Sequence, residues 1–288
     1  MKGIILAGGT GSRLYPMTKV VSKQLLPIYD KPMIHYPLSI LMLMGIKEIL
    51  FITTKKDAPL FKSLFEDGSE LGCSFSYEIQ DHPNGIAEAF IIGEKFIGND
   101  KVALILGDNI FYGSKLITLL KSQMANEGAT VFGHEVRDPK RFGVVNIDPS
   151  GKIASIEEKP EFPKSNIAVT GIYMYDKNVS LLAKSIQKSK RGELEITSLN
   201  NLYLSSNQLN IKIIPRGISW LDTGTPDSLS EANEFVKVIQ KTSNKKVACL
   251  EEISFEMGYI NAKQLKILAL KNDNRDISNY LLQLIKLK

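Results

Sequence analysis

Short, nearly uninterrupted apolar segments that alternate with segments of helical period constrain this chain more than any other feature of its sequence. Lys2–Ala7, Ile46–Thr53 and Lys101–Asp108 have the length of strands. Met33–Met44 carries apolar residues at helical spacing, and a further helix is predicted at Ile86–Phe96. Strands that are apolar on both faces are typical of a parallel sheet covered by helices on both sides. The first half of the chain therefore predicts an open, Rossmann-like α/β fold, in which ligands bind beyond the carboxyl ends of the strands.

The second half of the chain is richer in strands, so the sheet is expected to be mixed and mainly parallel. Strands are predicted at Thr130–Val136, Phe142–Ile147, Ile153–Glu157 and Ala168–Tyr175. Thr225 and Pro226 are typical of a helix start, because threonine caps an N-terminus and proline suits the first turn. Residues 241–246 predict an exposed break, so we divide the chain into a main unit, 1–240, and a small C-terminal helical appendage, 241–288.

The composition excludes several classes of protein. The chain has 288 residues, an apolar fraction of 43% and a formal net charge of +5, which favours a folded core over disorder. No apolar stretch approaches the ~20 residues of a membrane span. The N-terminus lacks the pattern of a secretory signal. Cys73 and Cys249 are too few for a disulfide framework or a metal cage, so we expect a cytoplasmic protein that engages no membrane.

The positive charge is unevenly distributed along the chain. Residues 241–288 contain nine Lys or Arg and five Asp or Glu, which accounts for most of the net charge of +5. The sequence has no basic stripe interleaved with aromatic residues, the pattern that is typical of nucleic-acid binding. We therefore expect no nucleic-acid partner and interpret the basic end as a solvated helical tail.

A glycine-rich loop follows the first strand directly. Gly8, Gly9 and Gly11 would let the backbone approach a phosphate closely and point its N–H groups at it. The loop lacks the third glycine of the dinucleotide-binding fingerprint and the Gly-Lys-Ser/Thr ending of a P-loop, so by itself it is equally consistent with a tight turn. Arg13 and Lys23, a fork-shaped cation and a point charge shortly after the loop, favour a triphosphate site.

Two segments, LAGGTGSRLYP at 6–16 and SKQLLP at 22–27, closely resemble the start of the sugar nucleotidyltransferase family. Further matches are YDKPM at 29–33, LGDN at 106–109, EEKP at 157–160, VTG at 169–171, RGELEIT at 191–197, WLDTGT at 220–225 and VACLEE at 247–252. Together they cover essentially the whole chain and are most similar to the glucose-1-phosphate thymidylyltransferases of that family. The resemblance implies a GT-A-like nucleotidyltransferase sheet, with a nucleotide-binding part at about 1–128, a sugar-binding part at about 129–240 and an appendage for assembly and regulation at 241–288.

The reaction that the resemblance implies joins dTTP to α-D-glucose 1-phosphate and gives dTDP-glucose and pyrophosphate, the first step of dTDP-rhamnose-type deoxysugar biosynthesis. The sugar phosphate is already ionised, so its attack on the α-phosphorus requires positioning and charge stabilisation rather than a general base. Asp108 and Asp222 are implied to hold Mg²⁺, a cation that prefers hard oxygen ligands. The residue pattern alone leaves open that these aspartates cap a helix and a turn.

The resemblance also assigns residues to each substrate. The implied catalytic residues are Arg13, Lys23, Asp108, Lys159 and Asp222. The implied nucleotide-binding residues are Gly8, Gly9, Gly11, Arg13, Lys23, Gln24, Gln80, Gly85 and Asp108. The implied sugar-phosphate-binding residues are Asn109, Gly143, Glu158, Lys159, Val169 and Arg191. The Gln80 amide has a donor and an acceptor that match the imide edge of thymine, but uracil has the same edge. Phe142 stands where the family commonly has Tyr, so any hydroxyl contact at that position is lost.

Two alternatives stay open at this point. One is a nucleotidyltransferase for another nucleoside triphosphate or sugar phosphate, such as the UDP-glucose type. The other is a non-catalytic nucleotide-sugar-binding regulatory module. The resemblance further implies a homotetramer with a second, allosteric nucleotide site, at which dTDP-rhamnose acts as feedback inhibitor. We expect that site at Arg216, Lys246, Glu251 and Glu252.

Overall fold

The computed structural model describes residues 1–9, 11–149 and 151–287. The strands are β1 Lys2–Ala7, β2 Pro27–Ile28, β3 Lys31–Pro32, β4 Glu48–Thr53, β5 Ser74–Ile79, β6 Val102–Leu106, β7 Asn109–Tyr112, β8 Ala129–Glu135, β9 Gly143–Ile147, β10 Ile153–Glu158, β11 Ile167–Tyr175, β12 Leu209–Ile213 and β13 Ser219–Asp222. The helices are α1 His35–Leu43, α2 Ala58–Phe65, α3 Glu88–Ile92, α4 Glu94–Ile97, α5 Leu116–Gln123, α6 Val179–Ser185, α7 Ile196–Ser205, α8 Pro226–Ser243, α9 Leu250–Glu256, α10 Ala262–Lys271 and α11 Arg275–Lys286.

A nine-stranded sheet forms the centre of the molecule. Its main path is β10-β9-β11-β6-β1-β4-β5, with β8 paired to β11 and β12 paired to β8. The strands β6, β1, β4 and β5 are parallel to one another, whereas β11 runs antiparallel to β6 and β10 runs antiparallel to β9. The predicted open, mixed α/β fold is confirmed, with parallel pairing concentrated in the half built from the first 106 residues.

Helices cover both faces of this sheet, as the continuous apolar strands predict. Ile4 and Ile5 are neighbours on the central strand β1, and neither has any exposed surface. Ile5 belongs to a core that includes Leu38 of α1, while Ile4 belongs to a second core that includes Phe90 of α3. Because successive side chains of a strand point to opposite faces, both faces of the sheet are buried.

Two regions near the site differ from the prediction. The strand predicted to reach Asp108 ends at Leu106, and a separate antiparallel pair, β7 with β13, follows it. A single helix was expected over 86–96, whereas α3 and α4 are two short helices that meet at Gly93, whose backbone leaves the helical region at φ −80° and ψ 5°. Both differences reflect local backbone geometry that apolar periodicity does not report.

The C-terminal part also differs in one boundary. Thr225 caps α8 in a capping box with Ser228, as the sequence indicates, but the helix continues to Ser243 and ends where Asn244 adopts a left-handed conformation. The division at residue 240 therefore falls inside a helix, and two separate units stay a prediction. The helix α9 packs against α1, whereas α10 and α11 pack mainly against each other. Within the described residues, no helix combines the length and the hydropathy needed to cross a membrane.

Candidate active site

The predicted site residues meet at the carboxyl ends of the parallel strands, where an open α/β sheet binds its ligands. A cavity of about 700 Å³ is lined by Arg13, Asp108, Asn109, Gly143, Glu158, Lys159, Val169, Arg191 and Asp222. A neighbouring cavity of about 220 Å³ is lined by Gly8, Gly9, Gly11, Arg13, Lys23, Gln24 and Asp108. A third, also about 220 Å³, is lined by Gly8, Gln24, Gln80, Gly85 and Asp108. Asp108 lines all three cavities, so they adjoin one another, and we call the three together the cleft.

Two carboxylates and a lysine lie at the centre of this cleft. Lys23 is 92% buried, and its Nζ lies 2.5 Å from Asp108 Oδ2. The pairing of β13 with β7 sets Asp222 opposite Asn109, beside Asp108, and the Thr223 hydroxyl donates to the Asp108 carbonyl at 2.8 Å. Burial and the nearby charge of Asp108 raise the pKa of Asp222, against the opposing effect of Lys23 and other cations. The fold therefore holds two carboxylates close enough to repel each other.

This pair of carboxylates fits a divalent cation. Asp108, in the turn between β6 and β7, and Asp222, at the end of β13, supply hard oxygen ligands. Their mutual repulsion is the kind that a cation relieves. Among the residues the structure describes, no cluster of three or more His, Cys, Asp or Glu could hold a metal by itself. A cation bound here would need further ligands from water and substrate phosphate, which suits a cation that keeps several waters.

At the other end of the large cavity, Glu158 is surrounded by cations and a hydroxyl. Thr197 donates to Glu158 Oε2 at 2.5 Å, and both Lys159 Nζ and Arg191 Nη1 lie 3.8 Å from Glu158 Oε1. Burial raises the pKa of Glu158 despite the Thr197 hydrogen bond. Lys159 has a positive φ of 43°, a conformation that costs a non-glycine residue energy and is often found at binding sites. The cluster offers an acceptor for hydroxyl groups beside two cations for a phosphate.

Asn109 lines the cavity, but its side chain forms hydrogen bonds with other groups of the protein. Its Oδ1 accepts from Trp220 Nε1 at 2.6 Å and from the Gly171 N–H at 3.2 Å. Its Nδ2 donates to Asp108 Oδ1 at 2.8 Å. The expected contact of Asn109 with the sugar ring stays a prediction, since the observed bonds orient Asp108 and join three elements.

The two glutamines of the cleft also have well-defined partners. Gln24 Nε2 donates to the Gly8 carbonyl at 3.1 Å, which fixes the glycine-rich loop. Gln80 Nε2 donates to Gly85 O and to Glu88, so its amide offers the cleft an acceptor only, and the donor expected from the sequence is already used. Gly85 has φ +107°, and a Cβ there would lie 2.3 Å from the Leu194 carbonyl, so glycine is required at this position.

The four residues of the expected second site are dispersed in this structure. The Tyr280 hydroxyl donates to Glu252 Oε2 at 2.7 Å. The backbone N–H of Lys246 donates to the Tyr280 hydroxyl oxygen at 3.3 Å. Glu251 instead lines a separate cavity of about 180 Å³ beside α2. Arg216 is exposed in the loop before β13. Lys246 is thus linked to Glu252 only through its backbone and Tyr280, since its side-chain Nζ lies 3.5 Å from Asp30 Oδ2. The grouping of all four residues stays a prediction.

Several site residues were missed by the sequence reasoning. Arg141 Nη2 lies 3.3 Å from Asp222 Oδ2, and Thr197 holds Glu158. Trp220, part of the WLDTGT motif, is half-buried and lines the cavity with its ring 5.1 Å from that of Phe142. Thr197 and Trp220 lie within quoted motifs, and Arg141 directly precedes Phe142, so proximity to the assigned residues was the available signal.

Comparisons with known proteins agree with this geometry. Residues 2–238 match the model of the nucleotidyl transferase family. A glucose-1-phosphate thymidylyltransferase of Neisseria meningitidis is 54% identical over 99% of this chain and 100% of its own length. A provisionally named glucose-1-phosphate thymidylyltransferase of Bacillus anthracis, whose crystal structure contains a sucrose, is 47% identical with a TM-score of 0.75 over 82% of this chain and 94% of its own. A UDP-glucose pyrophosphorylase with bound UDP-glucose has the same fold at 24% identity, with a TM-score of 0.72 over 83% of this chain and 98% of its own.

These similarities extend over the segments that build the cleft. The family model spans both Lys23 and Asp222, which the fold brings together from distant parts of the sequence. The Neisseria relative aligns beyond the family model, through the C-terminal helices. The chain therefore belongs to the nucleotidyl transferase family, and its full-length relatives there include glucose-1-phosphate thymidylyltransferases.

Proposed function

We propose that this protein transfers a thymidylyl group from dTTP to α-D-glucose 1-phosphate, giving dTDP-glucose and pyrophosphate. The observation that carries the proposal is a cleft with Lys23, Asp108 and Asp222 at its centre. The glycine-rich loop lies on one side of these residues and the cluster around Glu158 on the other. A site of this form can align a triphosphate with a sugar phosphate. The names of the relatives supply the two substrates.

In this mechanism the protein acts mainly by charge and alignment. Arg13 and Lys23, beside the glycine-rich loop, would hold the β- and γ-phosphates and stabilise the leaving pyrophosphate. Lys159 and Arg191 would hold the sugar phosphate so that its oxygen faces the α-phosphorus in line with the leaving group. Asp108 and Asp222 would hold Mg²⁺, which supplies Lewis-acid stabilisation of phosphate charge when bound. No general base is needed, because the attacking oxygen is already ionised.

Substrate recognition would follow from the two ends of the cleft. Glu158 would accept from sugar hydroxyls, with Gly143 and the Val169 backbone beside the ring. Gln80 Oε1 would accept from the N3–H of thymine, and backbone groups at Gly85 would complete the base contact. Uracil has the same N3–H, and the methyl group of thymine is worth only about 1–3 kcal/mol in an apolar pocket, so measurable turnover of UTP is expected.

Pyrophosphate release tests the proposal directly. The purified protein with Mg²⁺ and glucose 1-phosphate should release pyrophosphate with dTTP and more slowly with UTP. A clear preference for UTP would identify the UDP-glucose type of enzyme instead. Asp108→Asn should lower kcat by at least about a hundredfold with an unchanged circular dichroism spectrum. Asp273→Asn, the same change in an exposed loop, serves as the control. Nucleotide-sugar binding without turnover by the wild-type protein would favour the non-catalytic module.

Regulation and assembly form a second part of the proposal. We infer a homotetramer with an allosteric site near Lys246 and Glu252, at which dTDP-rhamnose acts as feedback inhibitor of a deoxysugar pathway in the cytoplasm. Hydrogen bonds from the Lys246 backbone N–H to Tyr280 and from Tyr280 to Glu252 support a built site between α8 and the C-terminal helices. Light scattering measures the oligomer. Inhibition that is purely competitive with dTTP, and that Lys246→Ala leaves unchanged, would refute the second site.

A further inference from the structure

The Gln80 amide is oriented from outside the nucleotide cleft. Gln80 Nε2 donates to Glu88 Oε2 at 2.8 Å and to Gly85 O at 3.2 Å. An ionised carboxylate and a carbonyl oxygen can only accept, so neither tolerates the amide oxygen in that place. Gln80 Oε1 therefore points the other way, over Gly8, where an added Cβ would lie 2.8 Å from it. Gly8 and Gln80 both line the cavity that also contains Gly85.

Glu88 is held in turn by a chain of groups that begins at a cation. Lys188 Nζ donates to Asn84 Oδ1 at 3.0 Å, and Asn84 Nδ2 donates to Glu88 Oε1 at 2.8 Å. A lysine can only donate and a carboxylate can only accept, so the Asn84 amide has one orientation that satisfies both neighbours. We call the series Lys188, Asn84, Glu88 and Gln80 the amide chain. Its hydrogen bonds converge on Glu88, which accepts from both Asn84 and Gln80.

We propose that Glu88 is a positioning residue that sets base specificity, because it makes Gln80 present an acceptor to the cleft. This inference rests on the proposed function. Thymine and uracil carry a hydrogen on N3 and can donate it to Gln80 Oε1. Cytosine carries a lone pair on N3, which would face the Gln80 oxygen with no hydrogen between them. A buried polar group left without its partner weakens binding by roughly 5- to 150-fold.

The change Glu88→Gln tests this role with almost no change in shape. The new amide can accept from Asn84 Nδ2 with its oxygen, and its NH₂ group then faces Gln80. The Gln80 amide must turn to accept that hydrogen bond, and it gives up its bond to the Gly85 carbonyl in doing so. The turn brings its own NH₂ group towards the cleft, where it suits cytosine N3. We expect the ratio of kcat/KM for dTTP to that for dCTP to fall at least about tenfold. The ratio for dTTP against UTP should stay within about twofold, since both bases lose the same acceptor.

Lys188→Met separates this role from a general loss of order in the segment that contains Gln80, Asn84 and Glu88. It removes the cation but leaves Glu88 able only to accept, so the ratio of dTTP to dCTP should not change. Combined with Glu88→Gln, it frees the Asn84 amide to turn instead of Gln80, and the ratio should recover towards that of the wild type. Glu78→Gln on the neighbouring strand β5, where the side chain is exposed, is the matched control. Melting temperatures verify that each variant is folded.

The possible outcomes separate this inference from the proposed function. An unchanged ratio in Glu88→Gln, or an equal shift in Lys188→Met, would overturn the role of Glu88 while leaving the thymidylyl transfer intact. A wild-type protein that releases no pyrophosphate from dTTP would overturn the proposed function. Calorimetric binding of dTDP against dCDP to the same variants then decides the role of Glu88 without turnover, with the same tenfold shift expected and an unchanged preference refuting it.

Discussion

Replacing Asn109 by Leu should destabilise the protein and disturb its site at once. The substitution keeps the size of the side chain but removes the acceptor of the Trp220 Nε1–H and the Gly171 N–H, and the donor to Asp108. Gly171 is fully within the core and Trp220 is half-buried. Each buried donor without an acceptor costs about 1–3 kcal/mol, with the half-buried indole at the lower end. We therefore expect the free energy of unfolding to fall by about 2–4 kcal/mol.

Urea unfolding at fixed protein concentration measures this loss, because subunit association would otherwise change the apparent stability. Trp220 is the single tryptophan of the chain and its indole is one of the affected donors, so its emission reports on the lost bond directly. Circular dichroism follows the whole fold in parallel. A loss below about 0.5 kcal/mol, typical of surface substitutions, would show that the bonds of Asn109 do not hold these elements together.

A matched variant separates the structural part from the effect on Asp108. Asn109→Asp keeps acceptors for Trp220 and Gly171 but sets a second negative charge against Asp108, so kcat should fall with a smaller loss of stability. A double-mutant cycle with Trp220→Phe isolates the indole bond, with a coupling of about 1 kcal/mol expected. A coupling near zero would refute the contribution assigned to that bond.

Three further predictions concern the sugar end of the cleft and a histidine. Gly143→Ala sets a Cβ 3.1 Å from Thr197 Oγ1 inside the cavity, so KM for glucose 1-phosphate should rise about tenfold with KM for dTTP unchanged. Arg191→Lys keeps the charge but loses the planar fork, and kinetics should again show a rise of about tenfold in KM for glucose 1-phosphate, which an unchanged KM would contradict. Burial and the charge of Lys31 lower the pKa of His35 from 6.5 to about 4. Below pH 6.5 His35 is therefore protonated in the unfolded chain but not in the folded protein, so the free energy of unfolding falls as the pH drops to about 4. Between pH 7 and pH 4.5, the free energy of unfolding measured with urea should therefore fall by about 1–3 kcal/mol less in His35→Phe than in the wild type.

The central sheet could be predicted from the sequence because its strands are long and apolar on both faces. The pair β7 and β13 could not, since each has four residues and their partners lie more than a hundred positions apart. Such a short pair is specified by its tertiary partners rather than by its own pattern. The hydrogen bond from Trp220 to Asn109 shows the consequence, because no local sequence pattern indicates which polar group the indole N–H contacts.

In the site, the motifs predict which residues are present, whereas contacts with neighbouring residues determine how the side chains are oriented. The motifs named Lys23, Asp108 and Asp222, and the fold brings all three into one cleft. They could not state which atoms stay free for a ligand. Gln80 has a donor and an acceptor in isolation, and only its contact with Glu88 determines that the acceptor faces the cleft. Residue identity fixes the available chemistry, whereas orientation depends on neighbours that the motif does not include.

Two cations of the cleft, Lys23 and Arg191, are held in place by carboxylates before any phosphate binds. Lys23 pairs with Asp108, and Arg191 contacts Glu158 at 3.8 Å and Glu195 at 3.4 Å. When a phosphate binds such a cation, the ion pair between the cation and its carboxylate is broken. The carboxylate then needs another partner. Under the proposed function, a divalent cation held by Asp108 and Asp222 would meet that need at the centre of the cleft, and sugar hydroxyls that donate to Glu158 would do so at the other end. The ion pairs thus position the cations before the substrates bind. The free energy needed to separate the pairs reduces the affinity for the substrates, whose own contacts can offset it, and does not raise the barrier of the chemical step.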